Sequence, residues 1–427
     1  MSGMKRNVVL ALAVAAAVAT PAAFATNGYF QHGYGVKAQG MGGAGVAFAQ
    51  DSMAAATNPA GMAMVGAHLD FGLMYFSPDR ETTLTSPGSA VGKYSANENA
   101  YFLIPEFGWN TMLDKKMSVG VTVYGNGGMN TSYNRNIPMF SGIAQDRAGV
   151  DLMQLFIAPN VAYKLTDSHT VGASLILAYQ RFKADGLDNF NSTAQTSASG
   201  SVTNNGYDSS TGIGVRLGWT GQVTPEVTLG ATYQPKINMK KFDKYKGLFA
   251  EQGDFDIPSN YALGVAIKVM PKLTVAFDYE EIKYTDSKAV SNPLGPVSAF
   301  GVLTNTLGNS NGAGFGWKDI KVYKLGVAYQ FSAGTTLRAG WNHNDQPIPA
   351  DQTFFNILAP GVVTDHLTLG GTWKLGKESE VSAMYTRALS EEVKGSGSIP
   401  TAFQGYTKEA NLKMQQNSFS LGFGWNF

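Results

Sequence analysis

The sequence contains no cysteine, which excludes disulfide bonds and thiolate metal sites. Charge is also scarce, because Asp, Glu, Lys and Arg make up 15% of the chain, whereas about 25% is usual. The formal net charge of +1 provides no basic excess that would favour nucleic acid as a partner. After residue 25, no apolar run reaches the roughly 18 residues that a membrane-spanning helix needs.

Glycine and aromatic residues are abundant instead. The chain has 50 glycines among 427 residues, or about 12%, whereas average usage is roughly 7%. Phenylalanine, tryptophan and tyrosine together contribute a further 11%. A composition this rich in glycine and aromatics and this poor in charge excludes a disordered tail and an ordinary soluble helical protein.

The N-terminus has the three parts of a secretory signal peptide. Lys5 and Arg6 precede an apolar stretch at residues 8–18, and the small-residue sequence Ala-Phe-Ala follows at residues 23–25. This order is typical of a signal that is cleaved after export. Residues 1–25 are therefore predicted to be removed, which leaves a secreted β protein or an outer-membrane barrel as the two alternatives.

Apolar residues occupy every second position over long segments of the chain, and this period is that of β-strands. In two of these segments, the residues expected to face outward are Val171, Ala173, Leu175, Leu177 and Tyr179 in one, and Phe419, Leu421, Phe423, Trp425 and Phe427 in the other. Strands of a soluble sandwich are about five or six residues long. These segments run for roughly 10 to 15 residues with aromatic residues at their ends, as membrane strands with aromatic girdles do.

About fourteen such segments follow one another, and short connections alternate with long ones with few exceptions. An even number of strands, short periplasmic turns and long extracellular loops are typical of bacterial outer-membrane barrels. Closure of the sheet also satisfies every backbone amide in lipid. Residues 67–427 are therefore predicted to form an all-β transmembrane domain, an antiparallel β-barrel of about 14 strands.

Residues 26–66 have no strand period. They are rich in glycine and alanine and carry little charge. A lumen of about fourteen strands is too wide for side chains alone to fill. We therefore predict that this segment is a hatch that plugs the lumen, and a solvated tail in the periplasm is the alternative.

Several short motifs occur in one order along this pattern. They are GYGVKAQGMGGAG at residues 33–45, Asn58-Pro59-Ala60, YGNGG at 124–128, AYQRFK at 178–183, Lys318-Asp319, NDQPIP at 344–349 and GWNF at 424–427. With these motifs the chain resembles the FadL/TodX-type outer-membrane transporters of long-chain fatty acids and hydrocarbons over nearly all its mature length. The resemblance implies passive uptake of hydrophobic molecules through the outer membrane of a Gram-negative bacterium.

In that family, ligand passes from an extracellular groove into the lumen and leaves sideways through a gap beside a kinked third strand. The resemblance therefore assigns the kink to Gly125, Gly127 and Gly128, since glycine inside a strand marks a bulge or a close approach. The alternative is that the strand ends there. Asn58, Pro59 and Ala60 correspond to the hatch motif, and a simple turn is the alternative for them.

The candidate ligand contacts are apolar or cationic. Large apolar residues in long loops usually mark a ligand surface, although they could instead pack the loops into a lid; they are Ile137, Met139, Phe140, Ile143, Leu187 and Phe190. Tyr29 and Phe30 begin the hatch and are candidates as well. Among inward-facing cations, Arg338 could receive a carboxylate or pair with a neighbour in the wall.

The resemblance adds Arg181, and Asn344 or Asp345, near an inner site. Arg181 shares the parity of outward-facing Tyr179, so it reaches the lumen only if a bulge or the end of the membrane band intervenes. The sequence alone leaves open whether the ligand is a fatty acid or a neutral hydrocarbon.

Other partners are predicted from the barrel itself. Outer-membrane lipids and lipopolysaccharide would surround it, and the barrel-assembly machinery would recognise the C-terminal Phe427. No catalytic residue, cofactor or metal is predicted, because the GxGxxG match at residues 40–45 and the GxSxG match at 308–312 lack the strand context that these motifs require. A water-filled porin for small polar solutes is the alternative function, and a barrel enzyme with His343 near Asp345 is a weaker one.

Overall fold

The computed structural model describes residues 27–142 and 146–427. The predicted signal peptide and loop residue Ile143 lie outside the described residues. The described part contains one antiparallel sheet of fifteen strands, with the bounds β1 His68–Leu84, β2 Gly92–Ser95, β3 Phe102–Met112, β4 Met117–Ser132, β5 Gly149–Lys164, β6 His169–Asp185, β7 Asp208–Gln222, β8 Val227–Gln234, β9 Asn260–Met270, β10 Leu273–Ile282, β11 Ile320–Ser332, β12 Thr335–Asn344, β13 Asp365–Lys374, β14 Ser379–Val393 and β15 Ala410–Asn426.

The sheet closes into a barrel because β15 pairs with β1 along its whole length, from Ala410 opposite Leu84 to Asn426 opposite His68. The short β2 is the exception, since it only extends one end of β1 within the first long loop. The remaining fourteen strands form the closed wall. The prediction of a 14-stranded antiparallel barrel is therefore confirmed.

Helices are short and lie in the N-terminal segment and the loops. The α-helices are α1 Val36–Gln39, α2 Met62–Val65, α3 Pro138–Ser141, α4 Ala250–Gly253, α5 Lys288–Ser291 and α6 Thr353–Asn356, and 3-10 turns cover Ser52–Ala56, Pro59–Gly61, Asp188–Phe190, Asp243–Tyr245, Tyr284–Asp286, Ala350–Gln352 and Thr401–Phe403. Within the described residues, no helix has the length and apolar character needed to cross a membrane.

The two faces of the strands differ as the alternation predicts. On β6, Leu175 and Leu177 are exposed, whereas Ser174 and Ile176, which alternate with them, are buried. The last strand repeats the pattern, because Phe419, Leu421 and Phe423 are exposed and Trp425 is half-buried, and the C-terminal Phe427 is exposed as well. Apolar side chains thus cover the outer surface, where they meet lipid instead of water.

Residues 27–66 lie against the inner face of the wall at positions where the strands carry glycine. A Cβ atom on Gly340 would stand 2.1 Å from the backbone N of Gly42, and one on Gly218 would stand 1.9 Å from Asn58 Oδ1. Because glycine lacks a side chain, the two backbones can approach this closely. Other inward-facing glycines that meet the same segment are Gly108, Gly172, Gly230, Gly264, Gly326, Gly370 and Gly422.

Polar side chains of the wall bind the backbone of this irregular segment. Asp278 Oδ2 accepts hydrogen bonds from the backbone N–H groups of Gly45 (2.7 Å) and Val46 (3.0 Å). Asp70 Oδ2 likewise accepts from the backbone N–H (2.8 Å) and the hydroxyl (2.5 Å) of Ser52. The segment has little regular structure of its own, so the wall satisfies backbone groups that would otherwise be buried without partners.

We expect Gly340→Ala to destabilise the protein, because the added methyl group would overlap the backbone of Gly42 and Met41. Overpacking of this kind costs about 1–3 kcal/mol. The measurement is the thermal unfolding of the detergent-solubilised protein together with tryptic release of the N-terminal segment. Gly376→Ala is the matched control, since a Cβ there meets nothing within 4 Å. Equal stability of the two variants would contradict the close packing described above.

Candidate functional site

The barrel wall opens between β3 and β4, its second and third barrel strands. Their pairing runs from Met112 opposite Ser118 to Phe107 opposite Val123. Beyond that point, no ladder within the described residues joins residues 102–106 of β3 to residues 124–129 of β4. We call this break the window. Pro105 pairs with Leu73 of β1 but lies where β3 has no partner on the β4 side, as expected for a residue that is confined to strand edges.

A β-bulge bends β4 at the window. The register of β4 against β5 shifts between Gly125 and Gly127, which leaves Asn126 as the extra residue of the bulge. The strand nevertheless continues to Ser132. The glycines therefore lie inside the strand, and the alternative that the strand ends at them is wrong.

The start of the N-terminal segment occupies the edge of β4 that β3 leaves unpaired. The Gly128 N–H donates to the Tyr29 carbonyl (3.0 Å), and the Gln31 N–H donates to the Asn126 carbonyl (3.3 Å). Gln31 Nε2 donates to the Gly125 carbonyl at 2.9 Å. A Cβ on residue 127 would stand 2.2 Å from the Tyr29 oxygen, so this contact requires glycine.

An apolar cluster covers the window on the membrane side. Phe102 and Ile104, at inward-facing positions of β3, pack in one cluster with Val123, Met153 and Leu155. The last three occupy outward-facing positions of β4 and β5. Side chains from the inner face of β3 and from the outer face of β4 and β5 therefore belong to one apolar cluster at the window. Between β3 and β4 themselves, the window is therefore covered by side chains and not by a backbone ladder.

Arg80 of β1 closes the extracellular end of the window. Its guanidinium donates to the carbonyl and Oδ1 of Asn130 on β4 and to the carbonyl of Asn99. Two residues beyond Asn130 on β4, the Ser132 N–H donates to the Ala96 carbonyl at 3.2 Å. The break in the wall thus has defined limits at both ends.

Aromatic rings pack around the start of the N-terminal segment on the lumen side. The ring centroid of Tyr29 lies 5.1 Å from that of Tyr284 and 5.9 Å from that of Trp317. Phe30 packs edge-on against Tyr284 at 6.0 Å. Tyr29 and Phe30, two candidates from the sequence, therefore lie between the window and the aromatic side chains of the extracellular loops.

The Tyr284 hydroxyl fixes the position of this segment. It accepts a hydrogen bond from the Tyr29 N–H (3.1 Å) and donates one to the Asn27 carbonyl. Burial raises the pKa of Tyr284 well above its ordinary value, so the hydroxyl keeps its proton and can continue to donate. No sequence pattern distinguishes Tyr284 from the other 18 tyrosines of the chain. Its role depends on contacts with Asn27 and Tyr29, which lie near the opposite end of the sequence.

The extracellular loops enclose an apolar cavity of about 40 Å³, which is enough for a few water-sized groups. Three of the predicted loop residues line it, and Ile137 and Met139 are buried in the same cluster. The lining has no charged side chain; it consists of Phe140, Val150, Phe182, Leu187, Phe190, Leu248, Phe249, Ala289, Leu307, Ala313, Gly314, Phe315, Phe355 and Leu358. Residues from five loops and from the ends of β5 and β6 thus converge on one apolar site.

A second, smaller cavity of about 20 Å³ lies between this loop cluster and the window. Tyr29 and Trp317 form part of its lining, together with Met129 and Asn130 of β4 and Arg80 of β1. This arrangement places a small, mostly apolar space directly behind the break in the wall.

Two of the four polar candidates face away from the lumen. Arg181 lies in an unbroken register with both neighbouring strands, so no bulge turns it inward, and its guanidinium stacks on the Tyr207 ring at 4.2 Å. Asp345 is exposed, and its Oδ2 accepts from the Lys321 N–H at 3.1 Å. Neither side chain is therefore available to a ligand in the lumen.

The other two polar candidates are buried and already hydrogen-bonded. Arg338 Nε donates to Gln50 Oε1 (2.8 Å) and its Nη1 to Thr372 Oγ1 (2.7 Å), so it holds the N-terminal segment against the wall. Asn344 Nδ2 donates to the neighbouring carbonyl of residue 345 at 2.8 Å. The contacts of Arg338 favour the wall-pairing interpretation over a free cation for a carboxylate.

Asn58, Pro59 and Ala60 form a turn that is also an anchor. Asn58 Oδ1 caps the Ala60 N–H (3.1 Å), while its Nδ2 donates to the carbonyls of Val46 (2.7 Å) and Trp219 on β7 (3.0 Å). One side chain thus ties two parts of the N-terminal segment to the wall.

A buried ionic cluster was not predicted. Ligand atoms of His68, Asp70 and Glu380 lie within 4.8 Å of one another. The Lys37 ammonium binds Glu380 Oε1, and His68 Nδ1 lies 2.6 Å from Asp70 Oδ2. Lys37 therefore supplies the positive charge beside these carboxylates, and the cluster joins α1 to the wall.

A closed barrel with an apolar outer face, an occupied lumen and a loop pocket defines an outer-membrane transport protein. The sequence model of the outer membrane protein transport family (OMPP1/FadL/TodX) matches residues 12–427. The chain belongs to this family, whose members are transport proteins of the Gram-negative outer membrane. No curated protein sequence matches the chain.

Three solved structures illustrate the similarity of fold. The toluene transporter TodX of P. putida has a TM-score of 0.67 at 18% identity, covering 93% of this chain and 99% of its own. The toluene transporter TbuX of Ralstonia pickettii has a TM-score of 0.65 at 19% identity, with coverage of 93% and 99%. A FadL homologue of Pseudomonas aeruginosa has a TM-score of 0.69 at 17% identity, with coverage of 94% and 100%.

We expect Tyr284→Phe to loosen the start of the N-terminal segment, because it leaves the Tyr29 N–H and the Asn27 carbonyl without their partner. Each unsatisfied buried group costs about 1–3 kcal/mol. The chain has no cysteine, so Asn27→Cys provides a single thiol whose maleimide labelling reports exposure. Maleimide labelling of the variant that carries both Asn27→Cys and Tyr284→Phe should be about tenfold faster than labelling of the Asn27→Cys variant alone.

Tyr279→Phe is the control for this measurement, since that hydroxyl contacts Glu281 at 3.2 Å and not the N-terminal segment. Equal labelling rates in the Tyr284 and Tyr279 variants would rule out the anchoring role of Tyr284.

Proposed function

We propose that the protein takes up hydrophobic molecules passively across the outer membrane. Long-chain fatty acids or related hydrocarbons are captured by the apolar loop pocket, pass into the lumen behind Tyr29 and Phe30, and leave sideways through the window between β3 and β4. The observation that carries the proposal is the docking of the N-terminal segment, through Tyr29 and Gln31, on the edge of β4 that β3 leaves unpaired.

Capture follows from the composition of the loop pocket. Its lining is entirely apolar, with rings of Phe140 and Phe190 at 5.9 Å from each other. Each methylene group that a ligand buries there contributes about 0.8 kcal/mol. Two of the similar structures are those of toluene transporters, which supports a hydrophobic cargo of this kind.

The route inward is limited by a few side chains. The cavity beside Tyr29 and Trp317 lies between the loop cluster and the window. At the window, residues 27–34 of the segment contact β4 through a few hydrogen bonds, which join Tyr29 to Gly128 and join Gln31 and Tyr34 to Gly125 and Asn126. A shift of this short stretch would join the cavity to the window without moving the remainder of the segment.

Lateral release avoids the polar contacts below the window. Farther along, the N-terminal segment is bound to Asp70, Asp278 and Thr368 of the wall, and an apolar molecule on an axial path would have to break these contacts. The window is instead covered by Phe102, Ile104 and their apolar neighbours. An apolar ligand can replace such contacts at little cost and then enters the acyl chains directly.

A water-filled porin is the second candidate, and the buried state of the N-terminal segment argues against it. Tyr29, Phe30, Met41 and Met62 are at most 2% exposed, so apolar side chains fill parts of the lumen that a porin would leave to water. We therefore propose that this segment acts as a plug and that the family function applies here.

We expect Gly127→Leu to reduce uptake of radiolabelled oleate to the level of cells that lack the protein. The larger side chain would overlap the Tyr29 carbonyl and fill the window. Initial uptake rates in cells that express equal amounts of folded protein are the measurement.

Gly376→Leu is the control for the substitution, because that position faces open space. Unchanged oleate uptake with Gly127→Leu would refute lateral release. Absence of oleate uptake in the wild type, combined with high ion conductance in planar bilayers, would favour the porin.

We expect Phe190→Ala to weaken oleate binding to the purified protein about tenfold, because part of the apolar lining is lost. Phe300→Ala is matched in chemistry, but Phe300 is 95% exposed and lines no part of the pocket. Equilibrium binding in detergent distinguishes the two. If both variants bind oleate like the wild type, the loop pocket is not the capture site.

A further inference from the structure

Arg80 is a buried cation whose hydrogen-bond acceptors are all uncharged. The side chain is 1% exposed. Its Nε lies 3.3 Å from Asn97 Oδ1, its Nη1 binds the carbonyl and Oδ1 of Asn130, and its Nη2 lies 2.5 Å from the Asn99 carbonyl. In the described part of the chain, no carboxylate forms an ion pair with it.

This arrangement is costly for a purely structural contact. A buried charge is normally paired, since its loss of water is not recovered from neutral partners alone. An uncharged amide could hold the Asn130 carbonyl equally well. A charged residue buried within a membrane-spanning strand therefore points to a function, with a partner of opposite charge.

The position of Arg80 indicates what that partner is. The side chain lines the cavity behind the window, together with Tyr29, Met129 and Trp317, and the apolar cluster of Phe102 lies on its other side, with the guanidinium 5.9 Å from that ring. Apolar surfaces on both sides suit an acyl chain, and the cation between them suits a carboxylate.

The guanidinium also has the capacity to bind one. It carries five N–H donors, and its contacts use Nε once, Nη1 twice and Nη2 once, which leaves one Nη2 donor. Two of the acceptors, Asn97 Oδ1 and Asn130 Oδ1, belong to side chains that can rotate away. A carboxylate is a stronger acceptor than an amide oxygen and fits the planar fork with two bonds.

We propose that Arg80 receives the carboxylate of a long-chain fatty acid at the window and thereby makes the channel selective for acids over neutral hydrocarbons. This inference rests on the proposed function, which it narrows to one class of ligand. The acid displaces the amide oxygens of Asn97 and Asn130, while the backbone acceptors keep the guanidinium in place.

Three other buried cations of the lumen are held by neighbouring side chains. Lys324 pairs with Glu280 at 2.8 Å, and Lys37 pairs with Glu380. Arg338 holds the N-terminal segment through Gln50. Arg216 is 4% exposed and donates to Gln234 Oε1 at 2.8 Å, but it lines neither of the two cavities behind the window and the loops. Arg216 is therefore the matched control, with the same charge and a neutral partner.

The test compares palmitate with methyl palmitate, which has the same chain without the charge. Equilibrium binding of each radiolabelled compound to the purified full-length protein in detergent is measured for the wild type, Arg80→Met, Arg80→Gln, Arg80→Lys and Arg216→Met. We expect Arg80→Met and Arg80→Gln to lose at least tenfold in affinity for palmitate and to bind methyl palmitate like the wild type. Arg80→Lys should be intermediate, and Arg216→Met should leave both affinities unchanged.

The outcomes separate this inference from the proposed function. Arg80→Gln can still donate to the Asn130 carbonyl, so it provides a folded variant if Arg80→Met does not fold. Equal losses for both compounds would identify Arg80 as a structural clamp and overturn the inference, and so would unchanged affinity for palmitate. If the wild type binds neither compound, the proposed function fails first.

Discussion

The rest of the structure depends on the requirement that backbone hydrogen bonds be satisfied inside a membrane. The strand ladders of the closed barrel meet it along most of the wall, but the ladder between β3 and β4 stops at Phe107 and Val123. There the N-terminal segment supplies the missing partners, since Tyr29 and Gln31 bind the edge of β4. Because lipid tolerates no unpaired edge, a break in the wall and an occupied lumen are two parts of one solution.

The strand period predicted the barrel because each strand has one face toward lipid and one toward the lumen, a local property of the sequence. The glycines of residues 125–128 likewise mark the bulge. The partners of Arg80 and Tyr284 could not be predicted, because Tyr284 binds the backbone of residues 27 and 29 from the other end of the chain. Resemblance of short motifs also led to Arg181, although its parity already indicated that it faces outward.

The charges of the lumen divide into two groups with different consequences. Lys37 and Arg338 join the N-terminal segment to the wall through Glu380 and Gln50, and Lys324 pairs with Glu280 within the wall. Among the cations of the described residues, Arg80 alone has both a cavity behind the window beside it and only neutral acceptors. These two groups cannot be separated from the sequence, because the alternation along a strand indicates which face of the wall a cation lies on but not which group it binds.

The close fit between inward-facing glycines and the N-terminal segment has an evolutionary consequence. The segment cannot be exchanged between relatives as an independent module, because its conformation is that of the wall around it, down to contacts at Gly218 and Gly340. A substitution in the N-terminal segment must therefore be accompanied by a compensating substitution in the wall, and the reverse holds as well. Variation in cargo should therefore accumulate in the extracellular loops, which can diverge without disturbing this seal.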